Sequence, residues 1–160
     1  MAVRNCEELG PCLRRITNRL LANQNLCKLL SIRTKDPLGA ADIADTSALF
    51  SKNIKIIPKL DPVETDESIM IIAVSTGMID VMNSEYRNIV LTIGIYVPLN
   101  QWAIKDENLR PFAIIGEIQK SLDKKDVNGL GRLQVGNFEL SMISGDVSRY
   151  DLEVRVTNFD

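Results

Sequence analysis

The chain has 160 residues and no histidine. That removes imidazole acid–base catalysis, Ser-His and Cys-His nucleophile pairs, and the commonest metal ligand. The residues left that could do chemistry are few. Asp151-x-Glu153-x-Arg155 places three charges on one face of a strand. Two carboxylates and an arginine so arranged could hold a divalent cation and stabilise a phosphate, as in a metal-dependent nuclease. The same spacing also describes an ion-pair ladder on the wet face of a sheet, and that plainer reading is preferred. Glu64, Asp66 and Glu67 are clustered acids, but they lack the Gly and Asx spacing of a calcium loop. Gly129-Leu130-Gly131 is a bare GxG without a following glycine, and reads as a turn. Cys6, Cys12 and Cys27 form no CxxC pair and read as reduced, structural thiols. The expectation is therefore a protein that is not an enzyme and carries no cofactor and no metal.

Charge is more informative. The net charge of −2 conceals a balance of +5 over residues 1–35 and −7 over the remainder. Arg14, Arg15 and Arg19 lie on the basic segment. Asp61, Glu64, Asp66 and Glu67 form an acidic, Pro-bearing stretch. Such a split suits an acidic partner or a neighbouring copy of the same chain. These seven residues are the interface candidates. The basic segment has no aromatic residue, so sequence-specific nucleic-acid binding is not expected.

The elements that must position these charges centre on Tyr86 to Leu99. Ile89, Leu91, Ile93, Ile95 and Val97 alternate with more polar positions, which predicts one long strand with a buried face. Burying five such side chains contributes roughly 8–15 kcal/mol at most, at about 1.5–3 kcal/mol each. Pro98 ends the strand.

The rest of the chain supplies neighbours for that strand. Gly10-Pro11 opens a helix whose stripe is Leu13, Ile16, Leu20, Cys27 and Leu30. Asn23-Gln24-Asn25 is a weak point that breaks or kinks it, and its end falls near Ser31 to Arg33. Residues 34–68 form a long connection, with a short helical turn near Ile43 to Phe50 and an edge strand at Ile54 to Ile57. A connection of this length is expected to contact a partner and to order only on that contact. Ile69 to Val74 is apolar on both faces, which predicts a central strand continuing through Met78 to Met82. A turn at Asn83-Ser84-Glu85 makes it a hairpin with the long strand.

The second half follows the same logic. A helix capped by Asn108 follows Trp102, with Pro111 in its first turn. Phe112, Ile115, Ile118 and Leu122 are its expected buried stripe; Glu117, Lys120, Asp123 and Lys124 are its wet face. In the next strand Leu133 and Val135 share a face with Phe138, Leu140 and Met142 only if Gly136-Asn137 is a bulge. Tyr150, Leu152, Val154 and Val156 alternate strictly in the last strand. The chain thus reads as one domain over residues 1–160. Its class is α+β: a small antiparallel sheet in the order α-β-β-α-β-β, two main helices on one face, and long loops. The longest aliphatic run, Ile69 to Val74, is too short to span a bilayer, and the N-terminal residues lack a signal-peptide pattern. Synthesis in the cytosol is the expectation.

Several segments carry a family resemblance. They are Leu20 to Leu38, LLANQNLCKLLSIRTKDPL; Asn53 to Leu60, NIKIIPKL; Tyr96 to Asp123, YVPLNQWAIKDENLRPFAIIGEIQKSLD; and the Gly-rich turn that feeds two terminal strands. In these the chain resembles the tailed-bacteriophage tail-terminator and tail-completion (head–tail joining) proteins. The resemblance implies a structural virion protein. It would form a ring, usually of six copies, that caps the tail tube and joins it to the head connector. Its partners would be further copies, the tail tube protein and neck proteins, with DNA passing through the lumen without sequence specificity and no membrane. It would reside in the host cytoplasm during assembly and in the virion tail or neck afterwards. Another neck component, such as a head-closure or connector-adaptor ring, fits the same features. A ring closes through head-to-tail contacts, so Arg14, Arg15 or Arg19 of one copy is expected to meet the Asp61–Glu67 stretch of the next.

Overall fold

A computed structural model describes residues 6–57, 66–79, 82, 87–127 and 131–157. In chain order, helices α1 (Leu9–Leu21) and α2 (Gln24–Ser31) are followed by strands β1 (Ile54–Lys55), β2 (Ile69–Ile79) and β3 (Arg87–Pro98). Two short strands, β4 (Ala103–Ile104) and β5 (Asn108–Leu109), lead into α3 (Arg110–Leu122). The described chain then runs through β6 (Asp126–Val127), β7 (Gly131–Ile143) and β8 (Val147–Thr157). The protein is α+β. Its main sheet has six strands in the order β1-β2-β3-β8-β7-β6, antiparallel except for the β1–β2 pair, while β4 and β5 form a separate two-stranded sheet.

The long strand is β3, and it is central. Ile89, Leu91, Ile93, Ile95 and Val97 are all buried, between β2 on one side and β8 on the other. Leu152 lies opposite Ile93 and Val154 opposite Leu91, so β8 extends the same apolar face. These side chains join those of α1, α2 and α3 in one core cluster. The β2–β3 hairpin pairing is antiparallel as expected, and the turn at Asn83-Ser84-Glu85 falls outside the described residues.

β2 is not central. Only Met70 and Ile71 have a partner in β1; β3 and β8 are the inner strands. Its double-sided apolar character has another cause. On the outer face Ile69 lies opposite Tyr96 and Ile71 opposite Gly94, and the Arg149 guanidinium lies close above Gly94. Both isoleucines are buried there. β1 itself is the short edge strand the sequence indicates.

The first helical segment breaks at Asn23, giving three helices rather than two. Asn23 is extended and caps α2 by accepting a hydrogen bond from Leu26 N at 3.0 Å. Its amide donates to Ser121 Oγ at 2.9 Å and Glu117 Oε2 at 3.1 Å, tying the break to α3. Glu117 is therefore buried, where the helical pattern placed it in water. Burial alone would raise its pKa, but hydrogen bonds from Lys120 and Asn23, and the Lys120 charge, hold it below its ordinary value.

Over residues 34–57 the connection after α2 makes contacts with the chain's own helices and core. Gln24 donates to Ile43 O at 2.9 Å and accepts from Ile43 N at 3.0 Å. The ammonium of Lys28 meets Asp42 at 2.7 Å. Leu49 is buried, at the end of a 3-10 turn over Thr46–Leu49, and so is Ile54. Most of the remaining connection, residues 58–65, lies outside the described residues.

α3 begins one residue later than the sequence indicates. Leu109 is the N-cap, and Asn108 is spent in β5. Arg110, at the first helical position, is 1 % exposed. Its guanidinium donates to the carbonyls of Leu29, of Ile32 at 2.8 Å and of Thr34 at 2.9 Å, while Nε donates to Gln101 O at 2.9 Å. Desolvation lowers its pKa.

Arg110→Met is expected to cost roughly 3–5 kcal/mol, because it leaves four carbonyls without a donor; a shift of the urea midpoint measures this. Glu117→Gln is expected to cost about 1 kcal/mol at neutral pH. A depressed carboxylate stabilises the fold above its ordinary value near 4.5 and ceases to as pH falls through the folded value. The variant should therefore lose less stability than the parent on acidification below about pH 4.5, as followed by denaturant titrations across pH.

A candidate docking surface

The structure assigns the sequence-derived charges mostly to the chain's own fold. The Arg14 guanidinium stacks 3.6 Å from the centroid of the Phe50 ring. Arg15 Nη1 approaches Cys12 Sγ at 3.9 Å. Arg19 donates to Ser121 O at 2.8 Å and Asp126 O at 3.3 Å, closing the C-terminal end of α3 against α1. Asp66 is met by Arg33 at 3.3 Å, and Glu67 by Arg33 at 3.6 Å and Lys52 at 3.5 Å. Asp61 and Glu64 lie outside the described residues.

The Asp151-x-Glu153-x-Arg155 face is likewise answered from within. Arg149 Nε binds Asp151 at 2.6 Å and Arg149 Nη1 binds the Tyr96 hydroxyl at 2.6 Å. Glu153 is bound by Arg155. Each pair is formed two residues apart on one strand, rather than across strands. An arginine thus sits on each carboxylate where a cation would have to bind. Among the described residues no three or more His, Cys, Asp or Glu side chains cluster as metal ligands. Cys12 and Cys27 are buried, Cys6 is exposed, and burial pushes the Cys27 thiol up to about 11. A cleft of about 310 Å³ lies between Asp36–Leu38 and Ile104–Asn108, with Lys105 reaching Asp36 at 3.5 Å across it.

The feature that stands out is apolar. The core face of the sheet continues past the helices along β7. Phe138 lies opposite the buried Leu152, and Leu140 opposite Tyr150, so both belong to the core face. Yet Phe138 is 47 % exposed and Leu140 45 %. Phe112, expected in the buried stripe of α3, is 41 % exposed and leans over the same end of the sheet. Its ring centroid lies 6.2 Å from that of Phe138 and 5.5 Å from that of Tyr150, edge-on to the latter. Trp102 stands behind, 6.1 Å from Tyr150, with its indole N–H donated to Ser148 Oγ at 2.8 Å.

Two bulges shape this strip. The first, between Val135 and Phe138, is the one the sequence requires at Gly136-Asn137. A second falls between Leu140 and Met142 and sets Met142 opposite Arg149, whose neighbours are on the outer face. Met142 therefore does not share the face of Phe138 and Leu140, as the simple alternation implies. The alternation identifies the right face for Phe138 and Leu140. It carries no signal that the helical layer stops short of them.

The strip also has an open edge. The start of β7 is covered by β6, by the Lys124 N to Leu133 O bond of 2.8 Å and by the Leu133 N to Lys125 O bond of 3.0 Å. Val135 N is taken by Asp123 Oδ1 at 3.0 Å. From Asn137 to Ile143, no strand pairs with the far side of β7 among the described residues.

Fold and surface define a small α+β protein with an exposed apolar strip on an open sheet edge, a kind of surface on which proteins assemble. The chain belongs to the YomW family, whose profile matches residues 23–150. The family's name is phage-derived, of the SPbeta type, and suggests a phage protein. No curated protein matches the chain.

If the strip serves docking and not folding, substitutions there are tolerated by the isolated chain. Leu140→Ser and Phe138→Ser are expected to change stability by no more than about 1 kcal/mol, whereas Leu152→Ala across the pair costs roughly 2–5 kcal/mol. Chemical denaturation of the three variants tests the contrast.

Proposed function

We propose that this protein is a structural component of a tailed-phage virion, a ring-forming tail terminator that caps the tail tube and joins it to the head connector. The observation that carries the reading is the exposed apolar strip of Phe138 and Leu140 on the open edge of β7, with Phe112 of α3 leaning over it. A protein working alone has little reason to keep aromatic side chains at the rim of its core, whereas one built into an assembly buries them there. The phage-derived family name and the resemblance of Leu20–Leu38, Asn53–Leu60 and Tyr96–Asp123 to tail-completion proteins support it.

In this reading the strip meets the tail tube protein. Six copies surround the lumen through which DNA passes, and the virion tail or neck is the site of action. The arginines of α1 contribute less to contacts between copies than their charge implies, because Arg14 and Arg19 are held by Phe50, Ser121 and Asp126. The reading involves no enzymatic step.

Electron microscopy of tail tubes assembled with and without the protein tests this. The expected result is tubes of limited length carrying a ring of added density at one end, with Phe138→Asp abolishing the added density. Tubes that grow unchecked and bind nothing would overturn the proposal. Binding to a portal-bound adaptor in place of the tube would reassign the protein to a neighbouring neck ring.

A further inference from the structure

The open edge of β7 is bounded at both ends by charge. It begins where Lys124 and Lys125 finish covering Leu133, and both lysines are exposed. It ends at the turn into β8, where Asp146 is exposed. Among the described residues none of these three side chains has an ion-pair partner. Two lysines beside one end of the edge, flanked by Asp123 and Asp126, and an aspartate in the turn at the other end set opposite charges against each other when the edge is reversed.

The reversal can be followed residue by residue. An antiparallel pair of two β7 edges centred on Leu140 sets Leu140 against the second copy's Leu140; because the second bulge returns Ile143 to the core face opposite Ser148, it is Ile143 of the second copy that comes beside Phe138. A two-fold axis perpendicular to the sheet keeps the core faces of both copies on one side. Phe112, Phe138 and Leu140 of both copies then form one apolar patch. Each copy's Asp146 arrives beside the other's Lys124 and Lys125. Glu139, which lies opposite Asp151 within its own sheet, would face the bulged Ser141–Met142 segment of the second copy, which carries no acid.

The part of β2 beyond Ile71, unpaired on its outer side among the described residues, competes poorly as an occupant. β2 carries no charged residue over Ile69–Ile79, so it answers neither the lysines nor the aspartate. We infer that the free protein closes the open edge of β7 with the same edge of a second copy, in a two-fold antiparallel pair with Lys124 and Lys125 of each copy against Asp146 of the other. Such a pair covers an edge that would otherwise recruit strands indiscriminately. The inference concerns the free chain and stands apart from the tail-terminator reading.

Native mass measured over a concentration series, at low and high salt, tests it. The expected result is a monomer–dimer equilibrium that weakens with salt. Leu140→Lys is expected to give a folded monomer, with circular dichroism confirming the fold. Lys124→Glu with Lys125→Glu is expected to weaken the dimer about tenfold. Adding Asp146→Lys to that pair should restore most of the loss, because the two-fold returns opposite charges to each other. This charge exchange decides the matter even if Leu140→Lys fails to fold. A monomer at every concentration would overturn the inference, as would an oligomer of any size that none of these variants alters. Weakening by the two glutamates without rescue by Asp146→Lys would overturn the assigned pairing.

Discussion

The arrangement of this protein depends on one buried guanidinium. Among the described residues Arg110 has no carboxylate partner; backbone carbonyls hold it. Two of these, Leu29 and Ile32, come from the end of α2, where carbonyls lack helical partners and carry the negative end of the helix dipole. A third, Thr34, opens the long connection, and Gln101 closes the turn after β3. The cation therefore fixes α2, the connection and α3 to one point. Because Arg110 is drawn inward at the first position of α3, Phe112 two residues on is rotated to the other side of the helix. The exposed aromatic rim follows from the buried charge.

The two faces of the sheet solve different problems. The outer face is polar and answered from within: Arg149 joins Tyr96 and Asp151, and Arg155 joins Glu153. The inner face is apolar and is covered by helices over most of its width, but left bare along the end of β7. The bare part is neither random nor fluid. Phe112, Phe138 and Tyr150 are in mutual contact, Trp102 packs against Tyr150, and Ser148 links the indole to the β3 backbone by donating to Val97 O at 3.3 Å. A preformed apolar strip loses little conformational freedom when it is covered.

Much of the fold was legible because alternation and punctuation are local. The five aliphatic positions of β3, the strict alternation of β8, the break at Asn23 and the bulge at Gly136-Asn137 each follow from a few neighbouring residues. What escaped depends on distant parts of the chain. Glu117 reads as a surface residue until Asn23 and Lys120 are brought to it. Phe112 reads as core because a helical stripe says nothing about where the sheet beneath it ends. Arg110 carries no flag in sequence, since its four acceptors come from segments up to 81 residues away. In sequence the acidic stretch and the basic helix look like surfaces for others, but the chain supplies its own partners for most of their described members.

The single tryptophan gains significance from its position. Trp102 is half-buried behind Tyr150, one ring removed from the exposed Phe112 and Phe138. Its indole N–H is fixed to Ser148, so its surroundings change chiefly when the rim in front of it changes. The chain therefore contains one indole, placed within optical reach of the surface it would use for assembly. Covering that rim alters the polarity seen by the indole, and its emission reports occupancy without an added label.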